Sequence, residues 1–249
     1  MRINYKLLLS VLLPVVFWLG AWQLYATYVN SSFLLPSVGE TFAELHTLIL
    51  EHGFYLTVLT TLIRVVIGLA FGTMVGILFA MLSHRFYVVR IILTPAITVI
   101  KSTPVASFII ILWIMMNGGA LAIFIAFLMV MPLIWQNLMD GYASIDSGLT
   151  EVADVFGFSY TKRLRLLVFP TLIKYLVPAL ISSVGLAWKS EIAAEIIAYT
   201  KNSIGYMINN AKTNFDTPRV FAWTIVIIVM SILLEFLTKI MMRRFRSWH

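Results

Sequence analysis

The chain has 249 residues, of which 61% are hydrophobic and 12% charged, with a formal net charge of +7 and a mean hydropathy of +0.94. A soluble domain is about half apolar and a quarter charged, so this composition exceeds what one soluble core can hide and places the chain in a bilayer. The absence of cysteine excludes disulfides, thiolate metal sites and cysteine nucleophiles, and Lys and Arg grouped in short clusters between apolar runs point to anionic lipid rather than nucleic acid.

Six apolar runs are long enough to be read as spans: about Leu7–Val29, Phe54–Leu82, Ile91–Met116, Ala120–Met139, Leu172–Tyr199 and Val220–Met241. The expected fold is an all-α membrane protein with about six transmembrane helices. Arg2 and Lys6 precede the first run, which is longer than the apolar part of a signal peptide and lacks a small-x-small site, so it is read as an uncleaved span. Residues 1–30 form this first unit, residues 31–53 an outer segment, and residues 54–249 a five-helix core. In the outer segment, Pro36 precedes a helix predicted over Ser37–Glu51, with Phe42, Leu45, Leu48 and Ile49 on one face and Glu40, Glu44 and Glu51 elsewhere. In the third run, Pro95, Lys101 and Pro104 interrupt the first half, which predicts a short interfacial helix followed by a span.

Orientation follows the cations. One set of ends carries Arg2, Lys6, Arg85, Arg90, Lys162, Arg163, Arg165, Arg243, Arg244 and Arg246, whereas residues 30–53 have no Lys or Arg and residues 200–217 only Lys201 and Lys212. Both termini are expected on the cytoplasmic side.

Several polar residues fall inside the runs. Gly68, Gly72 and Gly76 recur every four residues in the second, where they let another helix approach, either within the subunit or at a subunit or pore contact. Arg64, Lys101, Lys189, Glu191, Glu195 and Glu235 also lie at membrane depth, where a charge at a helix centre costs roughly 2.5–3.5 kcal/mol and faces protein or water. Arg64, Lys101, Lys189, Glu191 and Glu195 are candidates for a translocation path, with placement at the outer interface as the alternative. Glu191 and Glu195 share a helix face, while Lys189 points elsewhere.

Residues 140–171 form the longest loop on the cation-rich side. Asp146 or Ser147 can cap a helix carrying Leu149, Val152, Ala153 and Val155; Gly157 stands where that helix would stop in a left-handed conformation; and Ser159 can cap a second helix holding Lys162, Arg163 and Arg165, closed by Pro170. A helix–glycine turn–helix suits either a docking knob for a partner's groove or a loop held on lipid headgroups.

The stretch EVADVFGFSYTKRLRLLVFP resembles the EAA loop of permeases of ABC importers, with Glu151, Ala153, Gly157, Leu167 and Pro170 at the motif's spacing and departures at Val152, Leu167 and Phe169. Leu35-Pro36-Ser37, Thr61-Leu62-Ile63-Arg64, Ser102-Thr103-Pro104-Val105-Ala106, Ala187-Trp188-Lys189-Ser190-Glu191 and Ser203-Ile204-Gly205-Tyr206 are similar to the sulfonate, taurine and nitrate branch. The resemblance implies a type I importer permease. Two such subunits, here a homodimer, would form the path, and two ATPase subunits would dock on the helix at about Ser147–Phe156. An extracytoplasmic binding protein would deliver a small anion such as a sulfonate, or in the alternative a vitamin or pyrimidine precursor. The docking residues it implies are Ser147, Leu149, Glu151, Val152, Ala153, Val155, Phe156, Gly157 and Pro170.

It further implies a non-catalytic subunit that binds no cofactor, with ATP and Mg on the partner ATPase. The chain contains no G-x-x-x-x-G-K-S/T and no H-E-x-x-H, and His46, His52, His84 and His249 read as solvated side chains. A self-contained secondary transporter or channel using Lys189, Glu191 and Glu195 is the competing reading, and the EAA-like loop is what separates the two.

Overall fold

The computed structural model describes residues 5–246. Arg2 and His249 lie outside the described residues, as do the side chains of Lys6, Arg244 and Arg246. The described residues are helical throughout their regular structure: α1 (Tyr5–Val29), α2 (Val38–Leu50), α3 (Phe54–Arg85), α4 (Tyr87–Ser102), α5 (Val105–Trp113), α6 (Gly118–Ala143), α7 (Ser147–Val155), α8 (Tyr160–Arg163), α9 (Phe169–Ile197), α10 (Ile204–Thr213) and α11 (Thr217–Arg246). Five of these segments are long and apolar enough to cross a membrane, and α4 with α5, bent by 100° at their break, count as a sixth only if the pair is taken as one span.

That pair corrects the expectation for the third run. The first piece is the longer, and α5 has only 9 residues, about 13.5 Å at 1.5 Å per residue against a hydrocarbon core of about 30 Å, so it does not span by itself. The break is at Thr103–Pro104. Pro104 has no N–H to continue α4 and holds Thr103 in an extended conformation (φ −86°, ψ 132°).

A second correction concerns Pro170. It does not close the second loop helix, because the chain stays helical from Tyr160 through Ile197. Leu164–Val168 form a π turn immediately before it. The wider i→i+5 turn makes room for the proline ring, and its missing N–H falls in the opening turn of α9, where little is lost.

The core is built around α6, which packs between α3 and α9 and buries Leu121, Ile125, Val130, Ile134 and Leu138. The glycine ladder of α3 is what allows this. A Cβ on Gly68 would lie 2.6 Å from Ala126 Cβ, on Gly72 2.7 Å from Val130 Cβ, and on Gly76 2.8 Å from Ile134 Cβ. Two ladders of period four thus interlock at near backbone-to-backbone distance within one chain. Tryptophans fasten the layers: Trp135 Nε1 donates to Ser83 Oγ at 3.0 Å, and Trp188 Nε1 donates to the Ile227 carbonyl at 3.1 Å, tying α6 to α3 and α9 to α11.

The outer helix α2 starts at a capping box in which Ser37 accepts from Glu40 N and Glu40 returns to Ser37 N. It turns Thr41, Leu45 and Leu48 inward, whereas Phe42 and Ile49, placed with the inner face by the sequence pattern, stay exposed. On the inward side Glu44 and Glu51 both reach Arg219 at the start of α11, beside the buried Thr41 and Leu48. Among the described residues of α1, Trp22 Nε1 donates to the Pro36 carbonyl and Gln23 accepts from Val38 N.

Candidate functional site

Two polar constellations stand out against the apolar bundle. The first joins α3, α9 and α10. Glu195 is fully buried and its carboxylate accepts from Arg64 Nη1 at 2.8 Å, from Thr61 Oγ1 at 3.0 Å and from Gly205 N at 3.2 Å. Thr61 and Arg64 are three apart on α3 and so present one face to Glu195. The turn before α10 passes through left-handed conformations at Tyr199 (φ 52°) and Asn202 (φ 54°). It seats Gly205 so close that a Cβ there would lie 2.5 Å from Glu195 Cβ. One carboxylate therefore pins three elements.

Glu191, one turn earlier on α9, is also fully buried and lies beside Glu195. Neither of its oxygens has a hydrogen-bond partner among the described residues. Lys189 is exposed on another face of α9. Lys101 is far from this cluster in the fold. With Arg90, Gln136 and Asp140 it lines a groove of about 410 Å³ between α4 and the end of α6. Of the five path candidates, the structure thus groups Arg64, Glu191 and Glu195 and separates Lys101 and Lys189 from them.

The partners Thr61 and Gly205 were missed as members of the cluster by sequence reasoning. The available signal was that a carboxylate at membrane depth needs donors, and Thr61 with Arg64 is a donor pair at helical spacing. Arg219, Asp154 and the Glu44–Glu51 fork carried no comparable signal, because their pairings depend on how distant segments meet.

The second constellation is the knob after α6. Asp146 caps α7 by accepting from Gly148 N at 2.8 Å. At the other end Gly157 has φ +62°, Phe158 N donates to the Ala153 carbonyl at 2.9 Å, and Gly157 N donates to the Asp154 carbonyl at 3.0 Å. These are the paired bonds of a Schellman ending. Ser159 caps α8, Asp154 is ion-paired with Arg163 across the turn, and Lys162 lies 3.9 Å from the centre of the Phe158 ring.

The turn is closed by these bonds, and α7 is largely uncovered. Val155 is 85% and Phe156 73% exposed, with Leu149, Glu151 and Val152 also exposed and only Ala153 buried. Leu149, Val152, Val155 and Phe156 together form an exposed apolar patch.

The chain's similarities identify its family and fold. Residues 72–247 match the family described as binding-protein-dependent transport system inner membrane component. The putative aliphatic sulfonates transport permease protein SsuC of Bacillus subtilis is 24% identical over 250 residues, covering 99% of this chain and 90% of that protein. The taurine transport system permease protein TauC of Escherichia coli is 25% identical over 247 residues, covering 97% and 88%. Among solved structures, the crystal structure of an amino acid ABC transporter with histidines superposes with a TM-score of 0.63 at 16% identity, covering 76% of this chain and 92% of that one, which establishes the shared fold. The chain belongs to the family of binding-protein-dependent transport system inner membrane components, the permeases of ABC importers, and is a multi-pass protein of the cytoplasmic membrane.

Proposed function

We propose that the chain is one of two identical permease subunits that carry a small sulfonate-like anion inward, driven by separate ATPase subunits that grip α7. The observation that carries the reading is α7 itself, a capped helix whose apolar side chains are exposed and whose far end is locked into the next helix. A push on α7 passes through the Gly157 turn and the Asp154–Arg163 pair into α8. From there it enters α9 along one unbroken helical run from Tyr160 to Ile197, which includes the π turn at Leu164–Val168.

Near its far end, α9 carries Glu195, which ties it to α3 and α10. The fold thereby links the docking surface to the buried charge cluster through one lever. With α7 facing the cytoplasm, as the distribution of Lys and Arg requires, α10 and α2 face the binding protein. The sulfonate class is taken from the two relatives, whose names specify aliphatic sulfonates and taurine.

The test is co-purification of the ATPase with the tagged chain in mild detergent, together with uptake of a labelled alkanesulfonate. Gly157→Val forces a β-branched residue into a left-handed position at a cost of roughly 1–3 kcal/mol, and no atom lies within 4 Å of its Cβ to cause a clash. It should release the ATPase without preventing insertion. Gly157→Asn, which tolerates that conformation, should retain the ATPase. Equal ATPase recovery with Gly157→Val would refute docking through α7. Normal recovery without sulfonate uptake would refute only the cargo.

A further inference from the structure

A second cavity lies away from both constellations. On the same side as α7, the first half of α9 and the last half of α11 diverge and leave a groove of about 820 Å³. Its floor is apolar, formed by Val177, Ile181, Phe236 and Ile240, with Phe236 58% and Ile240 47% exposed. Its mouth is lined by Lys174, Lys239 and Arg243. Lys239 is held 3.6 Å from Glu235, and Lys174 and Arg243 have no ion pair among the described residues.

We infer that this groove is a binding site for an anionic phospholipid of the inner leaflet, with the phosphate at Lys174 and Arg243 and an acyl chain along the apolar floor. The dimensions fit. From Lys174 to Ser182 the groove follows eight residues of α9, about 12 Å of helix, close to the roughly 15 Å depth of one leaflet's hydrocarbon. The charge also fits, because three cations and one nearby carboxylate leave an excess of positive charge at the headgroup level, where anionic lipids are drawn.

The other candidate occupant is α1 of a second copy, since the apolar side chains Leu13, Val16, Phe17 and Leu24 of α1 are exposed in the single chain. Its charge argues against it. Residues 5–29 contain no Asp or Glu, and Lys6 would add a fourth cation to the mouth. The site involves none of the residues assigned to docking or to the buried carboxylates, so it stands or falls separately from the transport reading.

The experiment is native mass spectrometry of the full chain released from detergent with phosphatidylglycerol or phosphatidylcholine added. Wild type should retain phosphatidylglycerol in preference to phosphatidylcholine. Lys174→Gln with Arg243→Gln, which keeps the Lys239–Glu235 pair, should lower phosphatidylglycerol retention about 25-fold at roughly fivefold per cation and leave phosphatidylcholine unchanged. Ile181→Trp, which fills the floor and leaves every charge in place, should lower retention as well.

Equal retention by the double variant would overturn the proposal, as would equal retention of the two lipids by wild type. Unchanged retention in Ile181→Trp would reduce the site to headgroup attraction and overturn the groove. Cysteines can be placed freely in this cysteine-free chain. A disulfide between position 181 and α1 of a second copy, formed in most of the population, would put a helix where the lipid is assigned and would also overturn it.

Discussion

Replacing Glu195 by alanine is expected to destabilise the bundle by about 4 kcal/mol, within the roughly 3–5 kcal/mol lost when one member of a buried ion pair is removed. Arg64, its partner, keeps 16% of its side chain exposed and so recovers some hydration, which lowers the value. The Gly205 N–H, enclosed by α9, loses its acceptor, which raises it by about 1 kcal/mol.

For a chain of this size each kcal/mol corresponds to roughly 2–4 °C, so Tm should fall by about 8–16 °C. The assay is thermal loss of the monodisperse peak in size-exclusion chromatography of the detergent-solubilised chain. Arg64→Met combined with Glu195→Leu should lose less than the sum of the single variants, because neither then leaves a charge buried alone. Glu191→Gln is the control on the same face of the same helix. Glu191 is equally buried but accepts no hydrogen bond among the described residues, so its Tm should stay within about 2–4 °C of wild type. Strict additivity of Arg64→Met and Glu195→Leu, or equal losses in Glu191→Gln and Glu195→Gln, would refute the view that Glu195 is a tie rather than merely a buried carboxyl.

Two further outcomes follow from local geometry. Gly72→Val places a Cβ 2.7 Å from Val130 Cβ and 3.0 Å from the Phe127 carbonyl; since backbone cannot rotate away, it should cost about 1–3 kcal/mol or more, and a Tm equal to wild type would show that α3 and α6 are not in close contact. At the outer surface, hydrogen bonds from the Ser32 hydroxyl, the Ser37 backbone and the Ser37 hydroxyl hold the Glu40 carboxyl below its ordinary value of 4.5. A depressed carboxyl stabilises the folded state above its unfolded pKa and loses that contribution as pH falls through the folded one. The protection factor of amides in the first turn of α2, that is, their exchange corrected for the intrinsic rate at each pH, should therefore fall below about pH 4.5, and Glu40→Gln should remove that pH dependence; an unchanged pH profile in Glu40→Gln would assign the effect to another group.

Much of the fold was legible because a bilayer restricts the options. With no water to satisfy the backbone, apolar runs of sufficient length must become helices, and the starts and ends of five of the six runs lie close to α1, α3, α6, α9 and α11. The α7 knob was legible for a different reason. Its capping residues Asp146, Gly157 and Ser159 act on bonds a few residues away, so the pattern contains its own geometry.

Where the expectation failed, non-local fit had prevailed over a local rule. Pro170 was expected to end a helix, but a π turn upstream accommodates it. Pro104 was expected to precede a span, but α5 is too short to be one and packs instead on the outer halves of α6 and α9.

By itself the sequence determined that the chain is a helical membrane protein, which side holds the cations, and where the turn at Gly157 must be. These follow from hydrophobic length, charge distribution and short-range hydrogen bonding. The tertiary structure alone decided that Arg64 and Thr61 meet Glu195 while Lys189 and Lys101 do not, that the α3 glycines serve α6 of the same chain, and that Arg219 pairs with Glu44 and Glu51 of α2. The physical reason is separation along the chain: Arg64 and Glu195 are 131 residues apart, and only the packing of α3 and α9 around α6 brings one charge within reach of the other.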